Sequence, residues 1–264
     1  MKTALTIAGS DSGGGAGIQA DLKTFTAFGV FGMSAITALT AQNTIGVQGI
    51  FEVSSEFVIE QIKSIMSDMG TDAAKTGMLA NETIVMAVAD AIEKFKIPNV
   101  VIDPVMIAKS GDALLSKNAR ETIKERLIPL ATVVTPNIFE AQAMLNTKIQ
   151  TVDDMKNAAS ELKKTGCIWI VLKGGHLHEG NAIDVAFDGN EFHLLKSPRF
   201  ETKNTHGTGC TFSSAIAAGL AKGYQPLKAI QRAKEFITEA IRQSVSIGQG
   251  HGPTNHFVGT KTKW

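Results

Sequence analysis

The sequence predicts an α/β fold, a mostly parallel sheet flanked by helices on both faces. Three observations carry that expectation. Short apolar, β-branched runs alternate with helical patterns along all 264 residues. Two of those runs, Val100-Val101-Ile102 and Ile168-Trp169-Ile170-Val171-Leu172, are apolar at every position, which suits strands covered on both sides. The first run, Ala4-Leu5-Thr6-Ile7-Ala8, passes through a glycine-rich turn into a helical pattern, and that order of parts brings backbone close to a ligand in such folds.

Strands are expected at 4–8, 33–40, 73–76, 99–102, 132–134 and 168–172. Helices are expected at 15–28, 55–68, 81–96, 116–126, 152–164, 207–221 and 226–246. The first helix carries Ile18, Leu22, Phe25 and Phe28. The last has Pro226 at a plausible first position and Leu227, Ile230, Ala233 and Ile237 on one face. Residues 183–187 and 191–195, joined by Asp188-Gly189-Asn190, read as a hairpin, so an antiparallel edge is expected on the sheet. No internal repeat, low-complexity tract or linker interrupts the chain. Its length suits one large α/β domain over 1–264.

Composition narrows the function classes. There are 26 basic and 25 acidic residues, a net charge of +1, and no basic run, which argues against nucleic acid or a membrane surface as the main partner. Cys167 and Cys210 are the only cysteines, too few for a disulfide framework or a cysteine zinc site. Cys167 precedes an apolar strand and is expected in the core. The N-terminal apolar run stops at Asp11, without a signal-peptide pattern, and no stretch is long enough to span a bilayer. A cytoplasmic location is the expectation.

Chemistry is expected at two glycine-rich turns. Asn204-Thr205-His206-Gly207-Thr208-Gly209-Cys210-Thr211 leads into a helical pattern with Phe212, Ala215, Ile216 and Leu220. A helix start carries unpaired N–H groups and partial positive charge, and glycines let those groups close round a phosphate. The same position depresses a thiol pKa and offers a thiolate as a base. The segment also reads as a tight turn before a buried helix, with Cys210 a small core residue. The other turn, Gly9-Ser10-Asp11-Ser12-Gly13-Gly14-Gly15-Ala16-Gly17-Ile18-Gln19-Ala20-Asp21, lacks both the P-loop Gly-Lys-Ser/Thr and a clean dinucleotide fingerprint.

Ligands of such sheets bind beyond the carboxyl ends of the strands. Gly9 to Gly17, Gln42, Asp103, Asn137 with Glu140, and Lys173 all follow expected strands. Asn137 and Glu140 also have the spacing of a capping box. Lys173 at a strand end also reads as a solvated charge, Asp103 as the start of the turn before Pro104, and His206 as a turn histidine that is solvated or satisfied by a neighbour, outside the site. Gln42 carries a primary amide, with two donors and an acceptor for a ligand.

The stretches Thr6-Ile7-Ala8-Gly9-Ser10-Asp11, Gly14 to Asp21, Thr37-Ala38-Leu39-Thr40-Ala41-Gln42-Asn43-Thr44 and Thr76-Gly77-Met78-Leu79 occur in one order with four others. These are Asp103-Pro104-Val105-Met106, Thr135-Pro136-Asn137-Ile138-Phe139-Glu140-Ala141, Lys173-Gly174-Gly175-His176 and Asn204 to Cys210. Together they resemble the hydroxymethylpyrimidine/phosphomethylpyrimidine kinases of thiamin biosynthesis, within the ribokinase-like superfamily. The resemblance runs from Ala4 to about Phe257. Gly13 departs from it, since the family usually has a second serine there, and Val258 to Trp264 match nothing.

The resemblance implies a ribokinase-like fold, a homodimer, and ATP and Mg2+ at the site. It implies phosphorylation of 4-amino-5-hydroxymethyl-2-methylpyrimidine to its monophosphate and then to the diphosphate. Cys210 takes the base position that an aspartate holds in the wider superfamily, with Gly207, Thr208 and Gly209 as the anion hole. Gln42 reads the substrate, and Gly9, Asp21, Met78 and Val105 match other substrate-pocket positions. For Met78 and Val105 core packing is the alternative, and for Asp21 a local cap or pair. Lys173, Asn137 and Asp103 fall to the ATP phosphates, and Glu140 and Asp103 to the metal, Glu140 acting through water. The segment after Gln42, with Gly46 and Gly49, is a candidate lid. Gly248 to His256 borders the adenine site or closes the domain. The competing readings are a pyridoxal or pyridoxine kinase, a ribokinase-like lyase, and a non-catalytic sensor.

Overall fold

The computed structural model describes residues 1–106, 117–175, 177 and 180–258. His176, Ser116 (where the helix over 116–126 was expected to begin) and the tail from Gly259 lie outside the described residues. In chain order the elements are β1 (Thr3–Asp11), α1 (Gly17–Ala27), β2 (Phe31–Gln42), β3 (Val47–Glu52), α2 (Ser55–Asp68), β4 (Ala73–Thr76), α3 (Glu82–Lys94) and β5 (Val100–Ile102). Then come α4 (Lys117–Thr122), which runs on as a π turn and a short 3-10 turn to Leu130, then β6 (Val133–Val134), α5 (Ile138–Leu145), α6 (Val152–Lys163) and β7 (Trp169–Leu172). The hairpin β8 (Ala182–Phe187) and β9 (Phe192–Ser197) precedes α7 (Thr208–Ala221) and α8 (Pro226–Arg242).

The strands among the described residues join one nine-stranded sheet in the order β3-β2-β1-β4-β5-β6-β7-β8-β9. The run from β2 to β7 is parallel throughout, and β3, β8 and β9 are antiparallel at the edges. The fully apolar strands are explained by alternation of side chains across the sheet. Leu5, Ile7, Val100, Ile102, Ile170 and Leu172 enter one core with α2, α3, α5 and α6, and Cys167 lies there too. Ala4, Val101, Val133, Trp169 and Val171 enter the opposite core with α1, α7 and α8. A register slip of one residue exchanges the two sets, so both cores hold the pairing in place.

Small residues set the closest helix contact. A Cβ on Gly219 of α7 would lie 2.9 Å from the Ala229 Cβ of α8. The hairpin turn is fixed locally: Asn190 and Glu191 N–H groups donate to Asp188 Oδ1 at 2.7 and 2.8 Å, and Gly189 takes φ of +108°. No helix among the described residues is long and apolar enough to cross a membrane.

Two elements differ from the sequence expectation. The segment after Gln42 forms β3, paired to β2. Every residue of it is exposed, so it shows no burial alternation, and Gly49 weakens its strand signal. The capping box at Asn137 starts a real helix, α5, that is only eight residues long.

Candidate active site

A cavity of about 310 Å³ opens beyond the carboxyl ends of β1, β2 and β4. This is the crevice where the chain, having run outward from β1 to β3, returns to the other side of β1, the switch point at which open α/β sheets bind ligands. Gly9, Gln42, Met78, Val105 and Cys210 line it together. Gly9 lets Met78 approach closely: a Cβ there would lie 2.8 Å from Met78 Cε and push that side chain aside. Ile45, Val47 and Ile50 form an apolar wall from the β2–β3 hairpin.

The turn after β1 is folded around one carboxylate. Asp11 Oδ1 accepts from Gly13 N at 2.8 Å, and Oδ2 accepts from Gly15 N at 3.0 Å and Ala16 N at 2.8 Å. His206 Nε2 lies 2.8 Å from the same Oδ2. Burial pushes the Asp11 carboxyl up, but the His206 contact and the backbone donors outweigh it and hold the group below the usual carboxylate range. Gly17 must be glycine, with φ of +56° and a Cβ position 2.4 Å from Gly9 O. Where the family pattern has a second serine, Gly13 packs on the Gln42-Asn43 backbone, and Ser12 Oγ bonds Gln42 N and O at 2.8 and 2.9 Å.

The second glycine turn is docked onto the first. Gly207 has φ of +79°, and a Cβ there would fall 1.8 Å from Gly15 O. It caps α7 with no side-chain hydrogen bond; Thr208 N donates to Thr205 O at 3.4 Å, so the helix start meets an anion through the N–H groups that follow it. A Cβ on Gly209 would lie 3.3 Å from Lys173 Nζ and 3.5 Å from Asp103 Oδ2. The start of α7 therefore adjoins the cavity through Cys210 and the Lys173–Asp103 pair through Gly209.

Cys210 corrects one expectation. Burial pushes its thiol up to about 11; Lys75 pulls it down, while Asp21 and Asp103 add to the rise. The helix start does not yield a standing thiolate, because burial, helped by the two carboxylates, outweighs it.

Asp21 is not on the cavity wall. It is fully buried, with Oδ1 and Oδ2 at 3.1 and 3.0 Å from Lys75 Nζ, and it accepts from Thr6 Oγ1 and Ser214 Oγ, each at 2.6 Å. The local pair is what forms, because a buried lysine of β4 needs a counter-charge. Lys75 itself reaches the cavity. Burial lowers its pKa, yet Asp21, then Cys210 and Asp103, raise it above its ordinary value.

Lys173, Asp103, Asn137 and Glu140 gather at the ends of β5, β6 and β7. Lys173 Nζ meets Asp103 Oδ1 at 2.8 Å; Thr135 Oγ1 and Ser213 Oγ donate to Asp103 at 3.3 and 3.4 Å. Asn137 and Glu140 do form the capping box, Asn137 Oδ1 accepting from Glu140 N at 2.9 Å and Glu140 Oε2 from Asn137 N at 2.7 Å. Burial raises the Glu140 carboxyl to about 7, against the pull of Lys173 and with a further push from Asp103. The described residues hold no cluster of three or more His, Cys, Asp and Glu groups fit for a metal. What is present is a carboxylate pair beside a lysine and an uncapped helix start, a donor set suited to a metal already carried by phosphates rather than to a free ion.

The phosphomethylpyrimidine kinase family profile matches residues 11–255. The chain belongs to that family. It is 50% identical over 256 residues to a hydroxymethylpyrimidine/phosphomethylpyrimidine kinase of Bacillus subtilis, covering 97% of this chain and 94% of the relative. It is also 50% identical over 254 residues to a thiamine biosynthesis bifunctional protein of Geobacter sulfurreducens, covering 96% of this chain. The chain spans about half of that longer relative, 52% of its length. A crystal structure of Bacillus subtilis pyridoxal kinase with ADP superimposes with a TM-score of 0.90 at 44% identity, covering 97% of this chain and 98% of that one. The fold is ribokinase-like.

Sequence reasoning missed Asp11 as the organiser of its loop, Lys75, His206 as a wall residue, and His251. Lys75 had a signal: a lone charge in Ala73-Ala74-Lys75-Thr76, a strand buried at every position, must face a counter-ion. His251 had none, because Gly248 to His256 arrives from the far end of the chain. That segment closes over the site, Gly250 N and His251 N donating to Thr44 Oγ1 and O at 3.2 and 2.8 Å.

Proposed function

We propose that this chain, as a single kinase domain, transfers the terminal phosphoryl group of ATP to the hydroxymethyl oxygen of the aminopyrimidine alcohol, and a second one to the resulting monophosphate. One observation carries the reading. Gln42 and Cys210 share one cavity with an apolar wall, and the uncapped start of α7 links that cavity to Lys173 and Asp103.

In this reading Gln42 pairs with the amino group and ring nitrogen, while Gly9, Met78 and Val105 hold the ring. Asp21 acts from beneath, by fixing Lys75. Cys210 in its thiolate form accepts the hydroxyl proton as the oxygen closes on phosphorus. In a loose transition state that transfer comes late, and positioning does most of the work. The N–H groups at Gly207, Thr208 and Gly209 and the Lys173 ammonium stabilise charge on the transferred group. Magnesium, bound with the nucleotide, offsets phosphate charge; Asp103, Glu140 through water, and Asn137 at the helix start are the residues on hand for it and for the phosphates. The demand for ATP carries with it a cytoplasmic location.

The functional test is ADP release from magnesium ATP in separate reactions with hydroxymethylpyrimidine, its monophosphate and pyridoxal. Turnover of both pyrimidines with little on pyridoxal is the expected result. Turnover of pyridoxal alone assigns the cavity to that aldehyde, in line with the pyridoxal kinase it resembles in fold. Silence on all three sinks the kinase reading.

The reading includes a homodimer, supported by the large apolar side chains exposed at the β3 edge: Phe51 is 70% and Ile50 50% exposed. Phe51→Glu is expected to shift light-scattering mass from two copies of the chain to one. An unchanged mass for both proteins contradicts the β3 edge as the interface.

A further inference from the structure

Hydrogen-bond polarity around Gln42 assigns a role to His206. His206 Nε2 lies 2.8 Å from Asp11 Oδ2. Asp11 is ionised and its oxygens only accept, so Nε2 carries a hydrogen whether the imidazole is neutral or charged. The ring packs against the Gly15 turn, and its main chain is held beside Gly252. A Cβ on Gly15 would sit 2.5 Å from His206 Cδ2, and the His206 backbone donates to Gly252 O at 3.0 Å.

The same Nε2 stands 3.3 Å from the atom placed as Gln42 Nε2, so two donors face each other. On the other side of the amide, Thr40 Oγ1 lies 2.9 Å from Ser10 O and 3.1 Å from the atom placed as Gln42 Oε1; with its one hydrogen on the nearer acceptor, Ser10 O, the hydroxyl presents only lone pairs to Gln42. There two acceptors face each other. Turning the amide over resolves both conflicts together. Gln42 Oε1 then accepts from His206 Nε2–H, shared with Asp11, and Gln42 Nε2 donates to Thr40 Oγ1. Amide oxygen and nitrogen are told apart by such partners.

We infer that His206, locked by Asp11, is a positioning residue that sets the Gln42 amide with its carbonyl toward His206 and its amino group toward Thr40. This rests on the cavity being the aminopyrimidine site. In that setting Gln42 keeps one N–H and one oxygen lone pair for the substrate. The lone pair takes a hydrogen of the exocyclic amine, and the N–H meets the neighbouring ring nitrogen. A ring with no amino group beside a ring nitrogen satisfies only one of the two. His206 thus fixes which side of the cavity donates and which accepts, and the selectivity for an amino-substituted ring depends on it through the Gln42 amide.

The test pairs two variants. His206→Leu removes the donor, whereas His206→Gln carries an amide N–H to about the reach of Nε2. His206→Leu is expected to raise KM for hydroxymethylpyrimidine about tenfold, and His206→Gln to recover it to within about threefold. In a Gln42→Ala background His206→Leu adds nothing further. Imidazole nitrogen NMR of the unaltered protein shows His206 hydrogen on Nε2. The inference is overturned by an equal KM rise in the Gln42→Ala background, by no recovery in His206→Gln, or by hydrogen on Nδ1 alone. An unaltered protein inactive on the pyrimidine defeats the functional reading instead, and the His206 tautomer still decides the amide setting.

Discussion

Cys210→Ala keeps its fold and loses conversion of the alcohol, with kcat falling about a thousandfold. The side chain is small and borders the cavity, so removing its sulfur leaves space that solvent or substrate fills, and circular dichroism is expected to be unchanged. The loss falls on the first phosphorylation more than on the second, because a phosphate oxygen attacks without a hydroxyl proton to give up. The pH profile sharpens the test. With the thiol pushed up to about 11, the thiolate fraction of the free enzyme grows about tenfold for each pH unit below that value, so kcat/KM for the alcohol rises through the neutral and mildly alkaline range. In Cys210→Ala that rise disappears. An alanine variant with ordinary turnover of the alcohol removes Cys210 from the proton transfer.

Lys75→Met destabilises the protein by about 3–5 kcal/mol, measured by urea unfolding, because it strands a fully buried carboxylate. Asp21 and Lys75 are each 0% exposed and meet at 3.0 Å. Asp21→Asn in the same chain recovers most of that loss, since a neutral amide still has partners in Thr6 and Ser214 and no charge to compensate. The double variant also loses the cation next to Cys210, so it folds while its activity on the alcohol falls. Equal stability for the single and double variants contradicts the charge argument.

The sheet was legible because its strands obey one rule: residues apolar on both faces announce burial on both faces, and Val100-Val101-Ile102 and Trp169 to Leu172 do so without exception. An edge strand with no turn signature was not legible, unlike β9, which the Asp188-Gly189-Asn190 turn announces. β3 is exposed at every residue and depends on β2 alone. The site divides in the same way. Gln42, Met78, Val105, Gly9 and Cys210 sit in short ordered motifs and converge as expected. Asp21 carried a motif too, but its neighbours in space, Lys75, Thr6 and Ser214, come from three other elements, and only the folded chain shows the carboxylate turned away from the cavity. The Cys210 thiol failed for the same reason: a helix start is visible in sequence, whereas burial among Asp21 and Asp103 is not. His206 needed the Asp11 loop and Gln42 together before its nitrogen had a defined role.

The central claim is that one cavity serves both phosphorylations of an aminopyrimidine alcohol. Phosphorus NMR of a single reaction containing the purified protein, magnesium ATP and hydroxymethylpyrimidine tests it most directly. A phosphomonoester signal is expected first, then a diphosphate growing at its expense as ADP accumulates. ATP left unchanged, or consumed only when pyridoxal replaces the pyrimidine, contradicts it.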